Sequence, residues 1–395
     1  MTRKKTAAKE TPAPMKPVER ATAAFAVKPT DRVPLHHIQF SSRAASLILG
    51  RPAHVGGGIQ QYRESVALWQ GAGAHAEYVE RCRQDALDLA LATDQDLIRP
   101  GYWRMREKPT RRLDEFTFLY GDPAGTYRVH KFDPATELYQ IVDQRPLPVT
   151  EVDDLERQIA DEERAATEYV ASPDVYAAAV KCREAVKGER AIRTDGGGVG
   201  IPYGMPVWLE AMLLRPDLIA RKLDADVVLA KKLADVAARL GFPFLFGGGD
   251  MATNQGTMYS PRVFHELMLP RVIEISRHCH SLGMQFLFGS DGNLWPVADD
   301  LFGTAGADGY FEVDFGAGMD PRRLRERFPH LTIVGILPSA LLHRGTKDQV
   351  VEATLRMLET AREVNGVFVG CSNQIVPQTP PENIFAMLET LRKWR

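Results

Sequence analysis

Short apolar segments alternate with amphipathic helical stretches along most of this chain, and that alternation constrains its fold more than any other feature. Candidate strands are 35–40, 96–99, 191–195, 244–247, 285–289, 309–313, 331–335 and 366–370. Helical stretches lie between them, at about 76–92, 216–240, 262–282, 346–364 and 381–394. The third of these is opened by Ser260-Pro261, a good pair for the cap and first position of a helix. Strands that alternate with helices predict a parallel sheet. Their count of eight predicts an α/β fold closed into a (β/α)8 TIM barrel, although periodicity alone would also suit an open sheet.

Two regions break the pattern. Residues 111–148 carry three segments of strand character, 116–120, 126–132 and 138–142, with turn signals at Gly121-Asp122-Pro123 and Asp133-Pro134. They predict a β-hairpin or meander inserted after the second strand. Residues 1–28 are rich in Ala, Thr, Pro and Lys and predict a disordered tail, so the barrel is expected over 29–395.

Composition excludes several classes. The 395 residues are 44% hydrophobic and 25% charged, an ordinary globular mix that can bury a large core. A formal net charge of −2 gives no electrostatic reason to expect nucleic acid or an anionic membrane. No apolar run is long enough to span a bilayer. The basic N-terminus is not followed by the apolar run of a secretory signal. Cys82, Cys182, Cys279 and Cys371 are far apart and show no CxxC spacing, which favours a reducing, cytoplasmic setting over a disulfide framework.

In a barrel of this kind the chemistry sits at the carboxyl ends of the strands. Those positions are polar here: Ser41, Ser42 and Arg43 after the first strand, Asp96 and Arg99 in the second, and Asp195, Asp250, Asp291, Glu312 and Asp314 at later ends. One polar residue at a strand end is usually a loop cap. Carboxylates at several ends would converge in one cavity, where repulsion and burial raise their pKa values unless a cation or proton is shared. The glycine runs 196–198 and 247–249 match neither a dinucleotide fingerprint nor a P-loop, and tight strand-to-helix turns explain them as well as a ligand does. His36 and His37 lie on the first strand, so one points inward and the other toward the helices.

Several motifs together resemble the uroporphyrinogen decarboxylase superfamily. They are Gly283-Met-Gln-Phe-Leu-Phe-Gly-Ser-Asp-Gly-Asn293 with Gly306-Ala-Asp-Gly309, and Val369-Gly-Cys-Ser-Asn-Gln-Ile-Val-Pro377 with Thr379-Pro-Pro-Glu-Asn383. Asp31-Arg-Val-Pro34, Arg43, Gly200-Ile-Pro-Tyr203, Asp250 and Ser260-Pro261 also fit. The resemblance implies the same barrel and one of two chemistries. Methyl transfer to or from a corrinoid or thiol implies a zinc site with His-x-Cys after the fifth strand and a Cys after the eighth. Here the His position is Gly289 and the first Cys position is Asp291, while Cys371 stands at the second and Glu312 lies 21 residues after Asp291. Decarboxylation of a porphyrinogen implies an arginine-rich pocket and an aspartate near Asp96. One of the family's two early arginines is Gln39 here, and its histidine after the last strand is Asn373.

The resulting expectation is methyl (one-carbon) transfer between a small methylated substrate and a corrinoid or thiol. Zinc or another divalent metal would be held by Asp291, Glu312 and Cys371. Asp96, Asp195, Asp250 and Tyr203 would do the catalytic work, and Arg43, Arg99, Asn293 and Asn373 would bind substrate. The corrinoid would arrive on a separate partner protein, since no such domain is visible in the sequence. Family members are often dimers, so a homodimer is expected in the same sense. Metal-free decarboxylation of uroporphyrinogen or a related substrate is the alternative, and a binding protein on a decayed enzyme scaffold is a third reading.

Overall fold

The computed structural model describes residues 13–395. Its parallel strands form a six-stranded sheet built from Asp195–Gly198, Phe244–Gly248, Gln285–Gly289, Gly309–Phe311, Thr332–Val334 and Val367–Phe368. Two parallel pairs accompany it: Leu97–Ile98 with Ala191–Ile192, and Gln39–Phe40 with Gln374–Ile375. Single backbone hydrogen bonds connect these pieces. Asp96 N donates to Leu35 O, Phe246 N to Thr194 O, His36 N to Val369 O, and Val369 N to Pro34 O. The eight expected strand positions are therefore all occupied by parallel backbone. Helices lie between them, the longest being Pro216–Arg239, Ala72–Ala92 and Lys347–Val364.

The burial pattern follows from this. One apolar cluster takes side chains from every one of the eight strand positions: Ile38, Leu97, Ala191, Phe244 and Phe246, Leu287, Phe311, Val334 and Phe368. A larger cluster packs the opposite faces of the strands against the helices. Strands buried on both faces read as continuous apolar runs, which is why Phe-Leu-Phe recurs at 244–246 and 286–288.

Local signals explain the helix ends. The Ser41 and Ser260 hydroxyls accept from Ala44 N and Val263 N, and Thr346 with Gln349 forms a capping box. The helix expected over 262–282 is instead interrupted. A π-helical turn, Phe264–Met268, precedes Leu269–Ser281. Pro270 has no N–H for the regular ladder, which accounts for the widened turn before it.

Between the second and third parallel strands the chain forms a four-stranded antiparallel sheet, Arg111–Arg112, Thr117–Gly121, Tyr127–Asp133 and Leu138–Arg145. Its inner face is aromatic: the Tyr62 ring stacks on Phe132 at 4.4 Å, beside Phe118 and Tyr139.

The expected tail over 1–28 is corrected for its second half; residues 1–12 lie outside the described residues. Pro17–Phe25 is a helix that buries Ala21, Ala24 and Phe25 under the amino ends of the strands. The Phe25 ring stacks on Phe244 at 3.9 Å and lies 4.9 Å from Phe368. The composition misleads here because alanines supply most of the buried face and a single phenylalanine does the anchoring.

Candidate active site at the carboxyl ends of the strands

Three carboxylates meet at the ends of three neighbouring strands. Asp250 follows Phe244–Gly248, Asp291 follows Gln285–Gly289, and Glu312 follows Gly309–Phe311 directly. Each offers an oxygen within 4.8 Å of the others. Glu312 adopts φ +67°, a conformation that a glutamate rarely takes and that only surrounding contacts can hold. Asp291 is fixed from two sides: Asn373 Nδ2 donates to its Oδ2, and its own N–H points at Asp250 Oδ1, 3.4 Å away.

Like charges at this separation repel in a poorly solvated site. Desolvation, then Glu312, Asp250 and Asp314, push the Asp291 carboxyl up to about 7, with Asn373 opposing. Burial also raises Glu312, against the pull of the Arg193 guanidinium. The cluster can therefore hold either a proton or a cation at neutral pH.

A cavity of about 770 Å³ opens beside it, a size that suits a small-molecule ligand. Arg99, Tyr102, Asp195, Asp250, Phe311 and Glu312 are among its walls. Arg193 crosses its floor with its guanidinium over the rings of Phe246 and Phe311, at 4.5 and 4.7 Å. It binds Asp195 Oδ1 through Nε at 2.6 Å, and Arg99 Nε lies 3.5 Å from Asp195 Oδ2. Desolvation opposes ionisation of Asp195, but the Arg193 and Arg99 charges prevail and hold its carboxyl below the ordinary value. His36 Nδ1 lies 2.8 Å from Leu97 O, and Nε2 lies 3.5 Å from Arg193 Nη1. Those partners assign the proton to Nδ1. Burial and the Arg193 charge keep this imidazole neutral.

Several expected site residues stand elsewhere. Asp96 precedes its strand and lies at the amino end, fully buried between Arg20 Nη1 at 2.5 Å and Arg395 Nη1 at 3.0 Å, and it accepts from Leu35 N. It is a structural ion, not a pocket acid, because a residue before a strand cannot reach the cavity after it. Cys371 is fully buried, its thiol is pushed up to about 12 by burial, and it is absent from the carboxylate group; Asp250 stands in its place. Its backbone N donates to His37 Nδ1. Arg43 is exposed on the helix Ser42–Leu49, outside the cavity walls. Asn293 accepts from Trp295 N and shapes a turn. Asn373 engages Asp291 and is a positioning group. Tyr203 is 46% exposed, with its hydroxyl 3.5 Å from Asp250 Oδ2. Asp195, Asp250, Asp291, Glu312 and Arg99 do converge.

Arg193 was missed. The signal was available: Arg193 and Asp195 are two apart on a strand and so project to one face. The family's soft zinc set does not fit this site. A Cβ at Gly289, the position of the family's histidine, would overlap the Phe311 ring. Oxygen donors alone suit a hard cation such as Mg²⁺ or Mn²⁺. The glycine runs have a steric cause too. Side chains at Gly247 and Gly248 would overlap Gly197 O and Gly289 O, so strands could not approach so closely.

The family model described as Uroporphyrinogen decarboxylase (URO-D) matches residues 208–394, a little under half of the chain. No protein of curated function matches the sequence. Among solved structures, a methyltransferase from Methanosarcina mazei has a TM-score of 0.62 at 17% identity, covering 96% of this chain and 99% of that one. This likeness is one of fold. A D-psicose 3-epimerase from Clostridium cellulolyticum H10 covers 61% of this chain and 92% of its own at 12% identity, with a TM-score of 0.35. Among the described residues, no helix is long and apolar enough to cross a membrane.

Proposed function

We propose that the chain is a (β/α)8-barrel enzyme that transfers a methyl or other one-carbon group between a small substrate and a corrinoid or thiol, with the acceptor delivered by a separate partner. The closed barrel is supported by the pairing of the first strand with the last and by the inner cluster drawn from all eight strand positions. The match of residues 208–394 to the URO-D family model and the fold shared with a protein described as a methyltransferase support the reaction class. The observation that carries the site is the convergence of Asp250, Asp291 and Glu312.

A hard divalent cation held by these three carboxylates would supply Lewis acidity at the reacting group. The protein's own groups do the rest. Asn373 orients Asp291, Arg193 and Arg99 keep Asp195 ionised, and the Phe246–Phe311 floor keeps water from beneath the reacting group. With its carboxyl near neutrality, Asp291 is the group able to take or return a proton in the absence of the cation.

Decarboxylation is the second reading, favoured by the arginines in the cavity wall. It is weakened because Asp96, the acid it relies on, lies at the other end of the strands. Incubating the purified chain with Mn²⁺, methylated substrates and a free corrinoid or thiol tests the first reading. Methyl transfer that depends on Glu312 would support it. Carbon dioxide release from uroporphyrinogen without methyl transfer would replace it by the second.

A further inference from the structure

The cavity's basic wall contains a guanidinium whose bonding is incomplete. Arg99 ends the second strand and has a side chain only 11% exposed. Among the described residues it makes one hydrogen bond, from Nη1 to Ile38 O at 3.0 Å, and its buried Nε has no hydrogen-bond partner. The other buried cavity arginine is better served, since Arg193 binds Asp195 through both Nε and Nη2 at 2.6 Å. Two guanidiniums thus share one carboxylate. A buried cation with unused donors is costly unless something completes it.

The loop that follows Arg99 shapes what could do so. Tyr102 lies beneath the Arg99 guanidinium at 5.0 Å, Trp103 lines the same cavity with more than half its surface exposed, and Arg106 lines it with no ion-pair partner among the described residues. Planar rings beside one incompletely bonded guanidinium, Arg99, and one without an ion pair, Arg106, match a flat ligand that ends in a carboxylate, which a guanidinium binds in bidentate fashion. Asp250 and Glu312 line the same cavity, so a ligand held at the arginines would also meet these carboxylates.

We infer that Arg99, assisted by Arg106, is the anchor for a carboxylate on the substrate, and that the substrate is a small planar acid with its reacting group directed at Asp250, Asp291 and Glu312. The inference rests on the proposed function in one respect: the reacting group is directed at a cation held by the three carboxylates.

The test is isothermal titration of the full chain, in Mn²⁺, with benzoate and with its neutral analogue benzamide. Benzoate should bind about tenfold or more tightly than benzamide, as expected for a charge-assisted pair. Arg99→Gln should remove that preference, and Arg106→Gln should weaken benzoate several-fold while leaving benzamide unchanged. Equal binding of the two probes, or an Arg99→Gln chain that still prefers benzoate, would overturn the inference. Should Arg99→Gln fail to fold, the probe ratio and Arg106→Gln decide. None of these readouts involves turnover. A chain that prefers benzoate through Arg99 yet shows no methyl transfer would refute the reaction and keep the anchor.

Discussion

The two ends of the parallel strands use the same kinds of side chain to opposite effect. At the amino end Asp96 is enclosed by Arg20 and Arg395, and Arg20 is also bound to Asp31, so each charge has a counterion. Phe25 seals that end. At the carboxyl end Asp250, Asp291 and Glu312 face each other beside an open cavity, and Arg99 has a buried Nε without a hydrogen-bond partner. A paired buried charge fixes structure, while an unpaired group held in place is stored strain that a ligand can relieve. The comparison predicts that changes at the amino end act on stability, and changes at the carboxyl end act on ligands.

The largest effect should come from the amino end. Asp96→Ala leaves Arg20 and Arg395 buried without their shared counterion and should cost ~4 kcal/mol in urea unfolding. Phe25→Ala should cost about 3 kcal/mol by emptying the stack on Phe244 and Phe368. If either variant is as stable as the parent, the helix Pro17–Phe25 does not bear the weight assigned to it.

A smaller effect, opposite in sign, is expected at the carboxyl end. The folded Asp291 carboxyl is raised to about 7, so the folded state holds a proton that the unfolded chain releases near the ordinary aspartate value. Stability in EDTA should therefore fall as pH rises from about 4 to about 7 and level off above. Asp291→Asn should flatten that decline and raise Tm at pH 8. A parent protein whose Tm does not change across this window would show that the repulsion is not there. Asn373→Ala should produce the mildest change, a loss of cation affinity of roughly tenfold with little change in Tm, because it removes only the group that orients Asp291.

The architecture was legible because it rests on patterns that repeat. Apolar runs such as 285–289 and 244–247 predict buried strands, and the observed strands Gln285–Gly289 and Phe244–Gly248 match them. The helix Pro17–Phe25 was hidden, since its meaning depends on long-range contacts of one phenylalanine and one arginine. The site was half legible. Carboxylates at successive strand ends pointed to Asp291, Glu312 and Asp250, but not to which three would meet. Asp96 was given its catalytic role by likeness to the family's aspartate, although it opens the strand 96–99 and so stands at the end away from the cavity, where Arg20 and Arg395 enclose it. Cys371 was chosen by likeness to relatives, whereas Phe311 fills the space beside Gly289 and removes the histidine that would make a thiolate useful.

The most direct test of the account is Mn²⁺ titration of the metal-stripped chain, followed by calorimetry and by the electron paramagnetic resonance of free Mn²⁺. Binding should be saturable and stoichiometric, tighten as pH rises through 7, weaken by about 100-fold or more in Glu312→Gln, and stay unchanged in Cys371→Ala. Binding that survives Glu312→Gln but disappears in Cys371→Ala, or no saturable binding by the parent chain, would contradict the account.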